Sequence, residues 1–439
     1  MDREMRAKIV HAFFQTWRDS RDKTSRFEET VKGSYRMLAE RDKPTILIGP
    51  DGITALNKVV NLLSENSAIR SIFSHRELVK RVQSIATALY SVEPSEIDVR
   101  VNSYVDEMLQ QLQAAIPVEW RVYIPVENLR VSSELVIGQT SIRMFDELTK
   151  QSILTSFVEI NSRIKSPGVK AQSEQIFRER LTEDYDGKAV ALVKTKAVDT
   201  ARVIESAIDK AETVLNVLRF YSRGVIRNDV RAYRMYIGLK GTVLTGRTYG
   251  VAFRGSDEYT MSTESTGYLY ELELGEKEIS NMREDSFKRL HEILSKEIDQ
   301  RTAFENLIIN SVNLFGRAMN NPDTVNAFVS IVVALESVLL KKGEPMKTLL
   351  AERVALLLGK SFEERMFYFN QMSRLYQIRN DIVHRGFVDV TESDLALLSL
   401  FAYRVLVRLI SDSSKLNDIG KLVEEFNVLK FGSATKPES

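Results

Sequence analysis

Apolar residues recur at helical spacing along most of the chain and change to short alternating runs only in its middle. Near the start, Glu28–Glu40 and Ile53–Glu65 carry the three-and-four spacing of amphipathic helices. Between them Pro44–Asp51 reads as a short extended segment ending in a turn. Ser74 followed by Glu77 is a capping-box signal and predicts a helix running to about Tyr90. A further helix is expected over Ser95–Ala115.

Pro117 marks the change of pattern. Trp120–Pro125, Glu134–Ile137 and Thr140–Met144 read as strands, followed by a helix over Phe145–Ile160 and a loop at Ser166-Pro167-Gly168. Ala189–Ala197 predicts another strand, and Asp199–Tyr221 a helix. Tyr233–Leu239, Thr242–Leu244, Gly250–Phe253 and Thr266–Leu274 read as further strands. From Glu276 the helical period returns. Helices are expected over Asp285–Glu297, Arg301–Met319, Asp323–Leu340, Met346–Leu358, Phe362–Arg379, Glu392–Ile410 and Lys415–Val428. Asn321-Pro322 fits an N-cap followed by an N1 proline, Gly359 a C′ position, and Ser361/Glu364 and Thr391/Asp394 capping pairs. The expected fold class is therefore α+β and multidomain: a mainly helical region over 1–116, a mixed middle domain with antiparallel strands over 117–275, an all-α bundle over 276–432, and a disordered polar tail over 433–439.

Composition narrows the chemistry. Of 439 residues, 61 are Lys or Arg and 60 Asp or Glu, a formal net charge of +1, so nucleic acid would have to be held by a local patch. Cysteine is absent, which removes disulfides, thiolate nucleophiles and cysteine-zinc sites. The histidines are His11, His75, His291 and His384, with no close pair at ligand spacing, so no metal and no cofactor are expected. The charged start lacks a signal-peptide core. The most apolar run, Ala327–Leu340, is short for a span and interrupted by Glu336, so a cytoplasmic protein without a membrane role is expected.

The densest chemistry lies in Tyr376–Gly386, where Arg379, Asn380, Asp381 and His384 fall within six residues. Arginine offers a permanent forked cation to phosphate oxygens, and histidine exchanges a proton near neutral pH. On one α-helix, positions five apart point roughly 140° from each other. Arg379 and His384 therefore converge only if the helix bends at Asn380-Asp381, or if two protomers each contribute. The competing reading is a helix end whose basic residues favour its negative pole. Ile226-Arg227-Asn228-Asp229 repeats the start of the run without a histidine and reads as a loop. Glu336 and Arg353 each sit in an otherwise apolar helix. Either they form a structural ion pair, or Glu336 orients Arg379. Tyr376, one turn before Arg379, either stacks on a base at the same cleft or fills the core.

The blocks Ala334–Leu340, Ala351–Gly359, Ser361–Arg365 and Leu375–Gly386, in that order, resemble a HEPN domain, most nearly the ApeA-like branch. The resemblance covers about the last third of the chain. Arg379, Asn380 and His384 match the family's pattern of an arginine, a polar residue and a later histidine. It implies a metal-independent endoribonuclease of prokaryotic anti-phage or toxin-like defence, working as a homodimer on RNA through 2′-hydroxyl attack. Arg379, Asn380 and His384 would be catalytic, with Glu336, Arg353, Asp381 and Tyr376 in support. The region before Glu276 would sense a phage-derived or nucleotide trigger and restrain the nuclease. The alternative is a HEPN-type module that binds RNA, nucleotides or proteins without cutting. A DNA-directed site is disfavoured, because neither Asp51 nor Glu271 and Glu273 are followed by a lysine at metal-nuclease spacing.

Overall fold

A computed structural model describes residues 3–22, 36–38, 46–225, 235–237, 247–254, 258–264, 271–282, 285–386 and 389–432. By packing, the chain divides into two units, Met1–Val122 with Lys194–Ala207, and Tyr123–Val193 with Ile208–Ser439.

The first unit begins with α1 (Arg3–Asp22), the antiparallel pair β1 (Arg36–Leu38) and β2 (Ile46–Ile48), and α2 (Pro50–Glu65). It continues through α3 (Ser67–Ile72), α4 (His75–Tyr90) and α5 (Ile97–Ala114). Phe13, Val59, Leu63, Val82, Val101 and Val105 meet in its core. The Ser74 cap forms, its Oγ accepting the Glu77 amide at 3.1 Å. The reciprocal half goes elsewhere: the Ser74 amide donates to Asp199 at 2.9 Å, and Glu77 pairs with Arg81 at 3.0 Å. The helix expected over Glu28–Glu40 is not found at Arg36–Leu38, which is a strand. Pairing with Ile46–Ile48 overrides local helical preference there. Residues 28–35 and 39–40 lie outside the described residues.

β3 (Val118–Glu127) begins in the first unit and ends in the second, where β4 (Leu129–Val131), β5 (Leu135–Ile137) and β6 (Thr140–Met144) lead into α6 (Glu147–Asn161) and α7 (Pro167–Tyr185). Then follow β7 (Ala189–Ala197) and α8 (Thr200–Val225), whose residues 194–207 belong to the first unit, and in the second unit β8 (Tyr236–Ile237), the hairpin β9 (Arg247–Arg254) and β10 (Glu258–Glu264), and β11 (Leu272–Leu274). One sheet has the order β5-β6-β7-β3-β8, and β4 pairs in parallel with β11. Register sets Ile142 against Ala191, and Ala189, Val190, Ala191 and Val193 are fully buried, as suits an interior strand. The loop expected at Ser166-Pro167-Gly168 is instead the start of α7. Pro167 occupies the first turn, where its missing N–H costs nothing. The readings at Thr242–Leu244, Ile226–Arg231 and Ser433–Ser439 lie outside the described residues.

The rest of the second unit is helical: α9 (Glu276–Asn281), α10 (Asp285–Ser295), α11 (Ala303–Met319), α12 (Thr324–Leu339), α13 (Met346–Leu358), α14 (Phe362–Arg385), α15 (Glu392–Asp412) and α16 (Ile419–Phe431). Phe315, Phe328, Leu335, Val354, Leu375 and Leu398 are buried among them. Helix α8 joins the sheet to these helices. A Cβ on Gly316 would lie 2.5 Å from the Asn216 Cα, so only glycine admits this crossing of α8 and α11. Arg223 then donates from Nε to the Ser399 hydroxyl at 2.8 Å and from Nη2 to the Ala396 carbonyl at 3.1 Å.

Two cap expectations need correction. Helix α12 begins at Thr324, not after Asn321. The Asp323 carboxylate accepts the Asn326 amide at 2.9 Å and caps the helix, while Asn321 accepts the Asp323 amide in a turn before it. Gly359 is the C-cap itself, with extended φ −91° and ψ 128° rather than a left-handed C′. Glycine is needed for space, since a Cβ would meet the Arg365 amide at 2.7 Å. Among the described residues no helix is long and apolar enough to cross a membrane.

Candidate functional site

Helix α14 carries Tyr376, Arg379, Asn380, Asp381 and His384. The Ser361 hydroxyl caps its start by accepting the Glu364 amide at 3.2 Å. It ends at Gly386, left-handed at φ 76°, whose amide bonds the Ile382 carbonyl at 3.0 Å. Between them the helix is unbroken and runs on past the expected end at Arg379 to Arg385, so the bend at Asn380-Asp381, one of the two ways to bring Arg379 and His384 together, is absent. The polar side chains there are engaged sideways and do not compete for the backbone. Gln377 donates to Asp381 at 3.2 Å, Arg385 pairs with Asp381 at 3.4 Å, and Arg379 makes a long 3.4 Å contact to Asn380. The i,i+4 partners thus support the turn that the residue types alone would weaken.

An unbroken helix keeps Arg379 and His384 on different faces, roughly 140° apart. Arg379 turns inward. Its side chain is 19% exposed, and Nη2 lies 3.6 Å from the Glu336 carboxylate on α12. Its guanidinium lies 5.6 Å from the centre of the Tyr376 ring, and its buried Nε has no hydrogen-bond partner among the described residues. The stronger bond to Glu336 comes from the Tyr376 hydroxyl, at 2.8 Å. Burial pushes the Tyr376 phenol up to about 12, and the hydrogen bond to Glu336 and its charge add to the effect. The phenol therefore stays protonated and donating at neutral pH. Tyr376 is 2% exposed, which closes it to base stacking and makes it the strut beneath Glu336.

His384 points outward and is exposed. On its face of α14 lie Gln377 and Asp381, at i−7 and i−3. Lys347 of α13 reaches this strip, donating to Gln377 at 2.8 Å. Lys347 and Gln377 were not legible as site residues. The spacing of Gln377, Asp381 and His384 marks their shared face, but nothing in the sequence brings Lys347 to it.

Arg353 does not join this group. Of the two readings for Glu336, the pair with Arg353 is absent, because Arg353 is taken by Glu344 in the loop before α13, at 2.6 and 2.8 Å. It also donates to the Leu339 carbonyl at 2.5 Å, satisfying an orphan acceptor at the end of α12. The Arg353 hydrogen bond holds the Glu344 carboxyl below the usual glutamate range.

Comparison of the chain with family models, curated proteins and solved structures finds no match. Arg379 brings an incompletely partnered guanidinium and His384 an accessible imidazole. Among the described residues, no group of three or more His, Asp or Glu is placed to hold a metal ion.

Proposed function

We propose that the chain is a HEPN-type, metal-independent endoribonuclease of a prokaryotic anti-phage or toxin-like system, acting in the cytoplasm as a homodimer through its C-terminal helices. The observation that carries this reading is Arg379. It is a semi-buried guanidinium aligned by Glu336, with hydrogen-bonding capacity unspent, on the same helix as an exposed His384. In the proposed reaction the RNA 2′-oxygen bonds to phosphorus and the bond to the 5′-oxygen breaks. The products are a 2′,3′-cyclic phosphate and a 5′-hydroxyl. His384 accepts the 2′-proton or supplies the one the leaving oxygen needs. Arg379 meets the growing charge on the non-bridging oxygens, and Asn380 positions phosphate or guanidinium. Because α14 is unbroken, His384 of one protomer works with Arg379 of its partner across a two-fold axis. The region before Glu276 takes the sensing role, for a phage-derived or nucleotide trigger.

A second reading is an RNA- or nucleotide-binding module that does not cut. It is favoured by His384 itself, whose ring has no hydrogen-bond partner among the described residues to fix its tautomer. Incubating the full chain with single-stranded RNA in EDTA decides between them. Fragments ending in cyclic phosphate, lost in His384→Ala, support the nuclease. Retained binding with intact RNA supports the module, and full cleavage by His384→Ala removes His384 from the chemistry.

A further inference from the structure

Away from α14, the second unit contains a cleft of about 190 Å³ between the β5–β6 turn, α8 and the α10–α11 connection. Aliphatic side chains make its floor. Its charged lining is Lys210, Lys296 and Arg301 against Asp209 and Glu297, three cations to two carboxylates. Lys296 is engaged by the buried Glu305 at 2.6 Å. The other two cations donate to neutral oxygens. Lys210 donates to the amide oxygen of Gln139 at 3.0 Å, and the other end of that amide donates to Glu297 at 2.9 Å. Arg301 spends Nε and Nη2 on the carbonyls of Ile293 and Lys296, both at 3.0 Å, and its Nη1 has no hydrogen-bond partner among the described residues.

Both groups are drawn out of water. Burial lowers the pKa of Lys210, Glu297 opposes that shift, and the nearby charge of Arg301 adds to it. Burial likewise lowers Arg301. Two like charges held close in a half-dry cleft are disfavoured unless an anion joins them. We propose that this cleft binds a compact organic anion, bearing a phosphate or a pair of carboxylates, between Lys210 and Arg301. Its size sets the ligand class. The volume lies below the roughly 300 Å³ at which pockets for drug-sized ligands begin, so a small phosphorylated or dicarboxylic metabolite fits within it. The inference holds whether or not the chain cuts RNA.

The test titrates the full chain with inorganic phosphate and, separately, with malonate, at constant ionic strength set by chloride. Thermal unfolding and amide hydrogen exchange are followed together. The expected result is a saturable rise in the unfolding midpoint, with slowed exchange confined to the β5–β6 turn and residues 296–301. A response to phosphate alone assigns a phosphoryl ligand, and a response to malonate alone a dicarboxylate. Lys210→Met should weaken binding at least ten-fold. Glu297→Gln changes an exposed residue and removes a competing negative charge, so it should tighten binding at least three-fold. No saturable response to either probe, or unchanged or weaker binding in Glu297→Gln, overturns the proposal.

Discussion

Two arginines in the C-terminal helices sit beside glutamates in nearly apolar surroundings and differ in what they leave unspent. Arg353 is 5% exposed and locked to a carboxylate: two bonds to Glu344, one to the Leu339 carbonyl, and the Phe426 ring 5.6 Å away. Arg379 is 19% exposed, stands 3.6 Å from a carboxylate that Tyr376 already occupies, and has a buried Nε without a partner among the described residues. A guanidinium bonded twice to one carboxylate holds a structure together. One that is aligned but under-bonded can meet a phosphate without first breaking a strong ion pair. The difference separates a structural arginine from a candidate catalytic one, although their sequence surroundings look alike.

The largest effect that would sharpen this contrast is on stability at Arg353. Arg353→Ala strands Glu344 and the Leu339 carbonyl, and should cost about 3–5 kcal/mol in denaturant unfolding. RNA cleavage per folded molecule should be unchanged. Arg379→Ala should do the reverse. Cleavage should fall about 10²–10³-fold, the usual loss of a donor aimed at developing charge, with about 1 kcal/mol or less of stability lost. Equal losses of stability at the two sites would erase the distinction. Next comes Tyr376→Phe, which removes a hydrogen bond to a charged group and should cost about 1.5–3 kcal/mol. It should also slow cleavage, because an unoccupied Glu336 closes on Arg379 as a tighter pair. Faster cleavage would show that Glu336 orients nothing.

The smallest effect is on pH dependence. The Glu344 carboxyl is lowered by its hydrogen bond to Arg353, so its stabilising contribution is complete above the ordinary glutamate value of 4.5 and is lost as pH falls through the depressed folded one. Acid unfolding curves of the wild type and Arg353→Ala should converge on that descent. Parallel curves would mean the pair contributes nothing that protonation removes.

Much of this was legible from residue patterns. Ser74, Ser361 and Thr391 cap helices as their spacing predicts, and Ala189–Ala197 is a buried strand. The segment Tyr376–Gly386 is helical to Arg385 and ends on a left-handed glycine. What failed turned mostly on partners outside the segment being read. Arg36–Leu38 became a strand because another strand pairs with it. Arg353 chose Glu344 over Glu336 because helix rotation and the loop before α13 decide which carboxylate comes within reach. Asn380 and Asp381 stay helical because Gln377, Arg379 and Arg385 occupy their side chains, a local outcome that propensity underrates. Lys347 reached the His384 face by helix packing, which no spacing within α14 reveals.

With α14 unbroken, the proposed nuclease requires Arg379 and His384 of different chains to work together. Arg379→Ala and His384→Ala chains, each inactive alone, can be mixed in equal amounts, allowed to exchange, and assayed on single-stranded RNA in EDTA. If half the dimers are mixed, each has one intact pairing, and about a quarter of wild-type cleavage should return with cyclic phosphate ends. A mixture as inactive as its components would contradict the shared site.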